Sequence, residues 1–240
     1  MPDSRPGVAS PIDFARELNE AQHLAVTSLD GAHIVVAGAG SGKTRTLVYR
    51  VANLVLSEVL PEAVLLLTFT RRAAQEMLRR AAGLLDERCR RVAGGTYHSF
   101  ANLTLRRYAK KLGYSNNFTI IDRSDAVDMM GVLRTEAGYE RQGRRFPRAD
   151  TLVTVLSKQV NTQRSLESLL DEDFPQFTDD LDAIDDLRQR FQKRKAEHNV
   201  MDYDDLLINL RRLLVEHDKV RRKLSSTYRY VMVDEYQDTN

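Results

Sequence analysis

Apolar positions along this chain change period several times, and each change marks an element. Ile34, Val35 and Val36 form a short β-branched run that predicts a buried strand. Beyond Lys43, the residues Leu47, Val48, Val51, Leu54 and Val55 recur on one helical face. The apolar run 64–69 predicts a second buried strand, and Ala73, Met77, Leu78 and Ala81 then give the inward face of a helix. Strand, crossover helix and strand imply a parallel sheet, whose ligands lie beyond the carboxyl ends of its strands. Ahead of these elements, Leu18, Ala21 and Ala25 share one side of a short helix with Asn19 as its cap.

From about residue 112 the texture becomes helical. Asp122 should cap a helix with Asp125 three residues on, and helical patterns occupy roughly 124–137, 149–160, 163–170 and 179–198. No strand signal interrupts them. The chain returns to an apolar pattern near Met201, with Leu206, Leu207, Leu210, Leu213 and Leu214 facing inward. A last strand, Tyr230 to Val233, precedes Asp234 and Glu235.

Two of the junctions carry chemistry. Between the 34–36 run and the helix lie Ala37, Gly38, Ala39, Gly40, Ser41 and Gly42, followed at once by Lys43 and Thr44. Strand, small-residue loop, Lys-Thr and helix is the context of a phosphate-binding loop, although Ala37 stands where the strict pattern has glycine. Glycines let the backbone wrap an anion, and the helix start aims its N–H groups at it. Lys43 is expected on the β- and γ-phosphates and the Thr44 hydroxyl on Mg²⁺. An apolar strand ending in Asp234-Glu235 supplies the complement, with Asp234 holding the metal shell and Glu235 activating water. Gln22 offers a donor and an acceptor suited to an adenine edge.

Other junctions suit a polyanion. Thr68, Phe69 and Thr70 lie at a strand end and run into Arg71 and Arg72. A ring to stack a base, hydroxyls to hold phosphate and arginines for charge fit single-stranded nucleic acid, against the plainer reading of Phe69 as core. Thr96 and His98 sit in a second loop-to-helix junction, with His98 given a binding or structural role. Residues 141–148 form an exposed basic loop, either a solvated turn or a DNA contact.

Composition narrows the class. The 240 residues are 42% hydrophobic and 29% charged with a net charge of +2, which describes a globular chain with one large core or two smaller ones. No apolar run is long enough to span a membrane, and residues 1–11 lack the apolar centre of a signal peptide. The single cysteine, Cys89, rules out an intrachain disulfide and fits a reducing cytosol. The five histidines lack zinc-ligand spacing.

Taken in order, these stretches resemble the UvrD/Rep/PcrA family of superfamily 1 DNA helicases. Leu18 to Gln22 is similar to the Q motif, Ala37 to Thr44 to motif I with Arg45 continuing it, and Thr68 to Met77 to motif Ia. Gly95 to Phe100 resembles motif Ib, Met201 to Leu207 the DFDDLL segment, and Asp234 to Asn240 motif II. Motif Ia of the family often has Asn-Lys where Arg71 and Arg72 stand. The resemblance implies a RecA-like α/β P-loop NTPase with an incomplete parallel sheet. Residues 18–111 and 199–240 would form it, 112–198 would be an inserted all-helical subdomain, and 1–17 a flexible arm.

The resemblance further implies an ATP- and Mg²⁺-dependent motor that moves 3′ to 5′ on single-stranded DNA and works at single-strand/duplex junctions, in the bacterial cytoplasm at the nucleoid. Gln22, Arg45 and the loop 37–44 would hold nucleotide, Thr44 and Asp234 the metal, and Lys43, Asp234 and Glu235 the catalysis. Thr68, Phe69, Thr70, Arg71, Thr96 and His98 would line the DNA path. The family continues past motif II with a further strand and a second RecA-like domain. These 240 residues are therefore expected to be an N-terminal part that binds ATP and DNA but needs the C-terminal helicase domains for brisk hydrolysis. Two competing readings are a different P-loop NTPase, such as a nucleotide kinase or signalling ATPase, and a non-catalytic nucleic-acid-binding remnant of a helicase.

Overall fold

The structure is a computed structural model, and its described residues are 12–139 and 146–238. In chain order they form α1 (Phe14–Glu17), α2 (Glu20–Thr27), α3 (Lys43–Leu56), β1 (Val64–Thr68), α4 (Arg71–Leu84), β2 (Ala93–Thr96) and α5 (Tyr97–Tyr108). Then follow β3 (Thr119–Ile120), α6 (Arg123–Ala137), α7 (Ala149–Thr162), α8 (Leu166–Asp173) and α9 (Leu181–Glu197). Last come β4 (Val200–Met201), α10 (Tyr203–Glu216), α11 (Asp218–Thr227) and β5 (Tyr230–Val233). The described residues divide into two compact units, one made of 12–97 with 219–238 and the other of 98–139 with 146–218.

The first unit is built on a three-stranded parallel sheet in the order β2-β1-β5. All five residues of β1 are buried, which is why Val64 to Leu67 reads as an unbroken apolar run rather than an alternation. The core joins Val51, Ala52 and Leu54 of α3, Val64 and Leu66 of β1, and Met77 and Ala81 of α4. Gly94 in β2 has a packing reason. A Cβ there would stand 2.7 Å from Leu78 Cδ1 of α4, so glycine lets helix and strand approach. The register sets Leu67 opposite both Gly95 and Val233, and Thr68 opposite Thr96. The chain after β1, β2 and β5 therefore leaves the sheet at one shared edge.

One predicted strand does not form. Ile34, Val35 and Val36 are not in a strand and are 82, 55 and 92% exposed. Apolar side chains do not make a strand by themselves, since its backbone groups need a ladder. Among the described residues none pairs with this run, and β5 stands at the sheet edge with Val231 55% exposed.

The second unit is a helical core of Met130, Leu133, Leu152, Val155, Leu169, Leu170, Ile184 and Leu187. The stretch 112–198 lies wholly inside it. It is not free of strands: Thr119–Ile120 pairs in parallel with Val200–Met201. Two residues are too few to show a period-two pattern, so this pairing left no signal. The capping boxes at Asp122/Asp125 and Asp202/Asp205 both form.

Lys195 is buried at 1% exposure, and its Nζ lies 2.7 Å from the carboxylates of Asp202 and Asp205. Burial alone would lower the lysine's pKa, but the two acids more than offset it and the pKa is raised. Beside them, the Ser157 hydroxyl donates to Asp204 at 2.6 Å.

Of the arm expected over 1–17, residues 1–11 lie outside the described residues. Ile12 is 3% exposed and Phe14–Glu17 is helical with Asp13 as its cap, so 12–17 belong to the packed structure. Of the basic loop 141–148, residues 141–145 lie outside the described residues, and Phe146 is buried in the helical core.

Candidate functional site

The loop 37–42 enters α3 without a side-chain cap. Gly42 occupies the N-cap position at φ +88, a left-handed conformation that favours glycine, and Gly40 has φ +76. An uncapped helix start leaves first-turn N–H groups for another acceptor. A Cβ built on Gly38 or Gly40 would meet nothing within 4 Å. Lys43 Nζ folds back on the loop, donating to the carbonyls of Ala37 and Gly38 at 3.3 and 3.4 Å. The Ser41 hydroxyl donates to Gly38 O at 2.7 Å.

Asp234 directly follows β5 near the far end of the sequence. Its backbone N–H donates to Leu67 O at 2.9 Å, which continues the β5 ladder one residue past the strand. Burial, and then the charge of Glu235 beside it, push its carboxyl pKa up. The Glu235 backbone N–H and the Lys43 ammonium pull the other way. Glu235 has φ +50, a left-handed backbone rare for a glutamate, and its Oε2 accepts from Gln237 Nε2. Strain of this kind requires surroundings that hold it in place.

The flank of the loop is tied to the N-terminal helices. Asn19 caps α2 in a reciprocal box with Gln22. The Gln22 Nε2 amide also donates to Ser41 O at 3.0 Å, and a Cβ on Gly42 would stand 2.7 Å from that nitrogen. Arg45 donates to Glu17 O at 2.9 Å and lies 3.7 Å from the Glu17 carboxylate. Its guanidinium is 5.2 Å from the centre of the Tyr49 ring, and the Tyr49 hydroxyl donates to Glu17 Oε2. Neither Glu17 nor Tyr49 was singled out by the sequence. Arg45 and Tyr49 stand four apart on one helix, a pairing that spacing would have flagged, whereas nothing local marks Glu17.

At the same edge of the sheet, Phe69 is 72% exposed and so is not core. Thr68 corrects its expected role. It is fully buried, and its hydroxyl donates to Thr70 O at 2.6 Å, so it offers nothing to a phosphate. Thr70 caps α4 by accepting from Ala73 N at 3.1 Å. Arg71 and Arg72 are exposed. In the second unit, His98 packs edge-on against Tyr203, with ring centres 5.8 Å apart. The expected sites therefore separate. The loop 37–45, Gln22, Asp234, Phe69, Thr70, Arg71 and Thr96 belong to the first unit, and His98 to the second.

Among the described residues no cluster of three or more His, Cys, Asp or Glu can hold a metal. Magnesium is usually held by one or two carboxylates together with phosphate oxygens and waters. Asp234 and the Thr44 hydroxyl are oxygen donors of that kind. No helix among the described residues is long and apolar enough to cross a membrane.

A family model described as the UvrD/REP helicase N-terminal domain matches residues 18–240. A probable DNA helicase II homolog of Rickettsia conorii is 32% identical over 95% of this chain and 34% of its own length. The ATP-dependent DNA helicase UvrD1 of Mycobacterium tuberculosis is 32% identical over 99% of this chain and 31% of its own. The ATP-dependent DNA helicase PcrA of Staphylococcus epidermidis is 32% identical over 95% and 30%. The chain spans about a third of the length of such relatives. With an uncapped small-residue loop and a match over 18–240, the chain belongs to the UvrD/REP helicase family, in its N-terminal domain.

Proposed function

We propose that the chain is the nucleotide-binding part of an ATP-dependent DNA helicase that moves 3′ to 5′ along single-stranded DNA. The observation that carries this reading is the small-residue loop 37–42 entering α3 without a side-chain cap, with the Lys43 ammonium turned onto its carbonyls, in a chain whose residues 18–240 match a helicase N-terminal domain. In this reading residues 18–111 and 199–240 form the motor part, and 112–198 the insertion.

The chain's own groups divide the work. The loop 37–42 and the first turn of α3 bind the triphosphate, with Gln22 and Arg45 on its flank. Lys43, now held by two loop carbonyls, exchanges them for phosphate oxygens. Thr44 and Asp234 hold the Mg²⁺, which supplies charge neutralisation at the transferred phosphoryl group when bound. Glu235 orients a water and takes its proton. Phe69 stacks a base while the α4 start and Arg71 take backbone phosphate, with Thr96 at the neighbouring strand end and His98 as a further contact.

Titration with a fluorescent ATP analogue in the presence of Mg²⁺ tests the reading. The chain should saturate, and Lys43→Ala should weaken binding by about tenfold or more. Equal binding by the two proteins, or none by the unaltered chain, rejects it.

A further inference from the structure

We propose that Glu17 and Tyr49 are positioning residues that fix Arg45 beside the phosphate loop and so make the site prefer a base-bearing nucleotide to a bare triphosphate. The inference rests on reading 37–44 as a nucleotide site.

Three bonds converge on Glu17. Its carbonyl accepts from Arg45 Nη2 at 2.9 Å, its carboxylate lies 3.7 Å from the same guanidinium, and that carboxylate accepts the Tyr49 hydroxyl. Tyr49 is anchored in turn. It is 7% exposed, lies in the core with α3, and meets the Phe14 ring edge-on at 6.2 Å. Arg45 itself is half exposed, so without these partners its long side chain would sample many rotamers. Arg45 Nη2 also donates to the Tyr49 hydroxyl oxygen at 3.3 Å, and the ring lies under the guanidinium.

The geometry separates two tasks. Phosphate chemistry belongs to the loop, Lys43 and the start of α3. The fixed polar groups flanking that start are the Gln22 amide, held by Ser41 O, and the Arg45 guanidinium, held by Glu17 and Tyr49. A ligand reaches both sets only if something planar and polar continues beyond its phosphates. An ordered guanidinium contributes more to that contact than a mobile one, because less freedom is lost on binding.

The test compares MgATP with Mg-tripolyphosphate, each titrated into the full chain and into Glu17→Ala, Glu17→Gln and Tyr49→Phe, with thermal melts to verify folding. Glu17→Ala and Tyr49→Phe should each weaken ATP binding by about five- to tenfold and leave tripolyphosphate within about twofold. Glu17→Gln keeps an acceptor oxygen and should restore most of the preference for ATP. Equal weakening of both ligands, or no change in either, overturns the inference while leaving the nucleotide site standing. Failure of the unaltered chain to bind either ligand overturns the nucleotide reading itself. Should Tyr49→Phe fail to fold, the Glu17 pair decides alone.

Discussion

Lys195 Nζ lies 2.7 Å from Asp205 Oδ2, with the two side chains 1 and 5% exposed, and Asp202 stands equally close to the lysine. A cation and two anions out of water are held by one another. The same acids form the capping box of α10, so the cluster joins α9 to the start of α10. Removing the lysine would leave the buried Asp205 carboxylate facing the partly buried one of Asp202. Lys195→Ala is expected to cost about 3–5 kcal/mol of unfolding free energy, read by urea denaturation. A loss near zero would mean that the acids already share a proton.

The same cluster sets an alkaline limit. A lysine whose folded pKa is raised contributes stability that is fully present below its unfolded value, 10.5, and is lost as pH climbs through the folded value. Burial opposes that direction, and the charges of Asp205 and Asp202 overcome it. The melting temperature should therefore fall as pH rises beyond that value. Lys195→Met should flatten this part of the profile. A profile of unchanged slope in the variant would assign the loss to other groups, the buried tyrosines first.

Tyr97 carries a cost with no visible return. Its hydroxyl is buried without a hydrogen-bond partner, and burial pushes its pKa up. Tyr97→Phe removes the orphan group and keeps the ring. It should stabilise the chain by about 1 kcal/mol in denaturant titration. A destabilised variant would show that the hydroxyl has a partner, such as a bound water.

Phe69 should separate folding from binding. It is 72% exposed, so Phe69→Ala is expected to shift stability by no more than about 0.5 kcal/mol. If a base stacks on the ring, the same change weakens single-stranded oligonucleotide binding by about 1–3 kcal/mol in fluorescence anisotropy. Unaltered oligonucleotide affinity would remove Phe69 from the DNA path.

Local patterns were legible where a local cause produces them. The Asn19, Asp122 and Asp202 boxes follow from side chains bonding within four residues. The loop-to-helix junction at Gly42-Lys43 and the fully buried β1 followed in the same way. The misread run 34–36 has a strand's composition, but strandedness belongs to a pair of segments, and composition says nothing about the partner. Nothing local in the sequence marks Lys195, because burial of a lysine depends on two acids that come together only through the fold. Thr68 was placed on the nucleic-acid path for its hydroxyl, which the turn after β1 had already engaged. Glu17 is joined to Tyr49 across 32 positions, a distance at which no periodicity survives.

The uncovered Ile34, Val35 and Val36 also govern how this chain behaves in a tube. Three β-branched side chains in water form an adhesive stretch, ready to seek another copy or a plastic wall. That stretch leads directly into Ala37, so clumping there would crowd the mouth of the loop. Crowding of this kind would withdraw binding sites from solution, so concentrated stocks will read as under-occupied and diluted ones as fully competent.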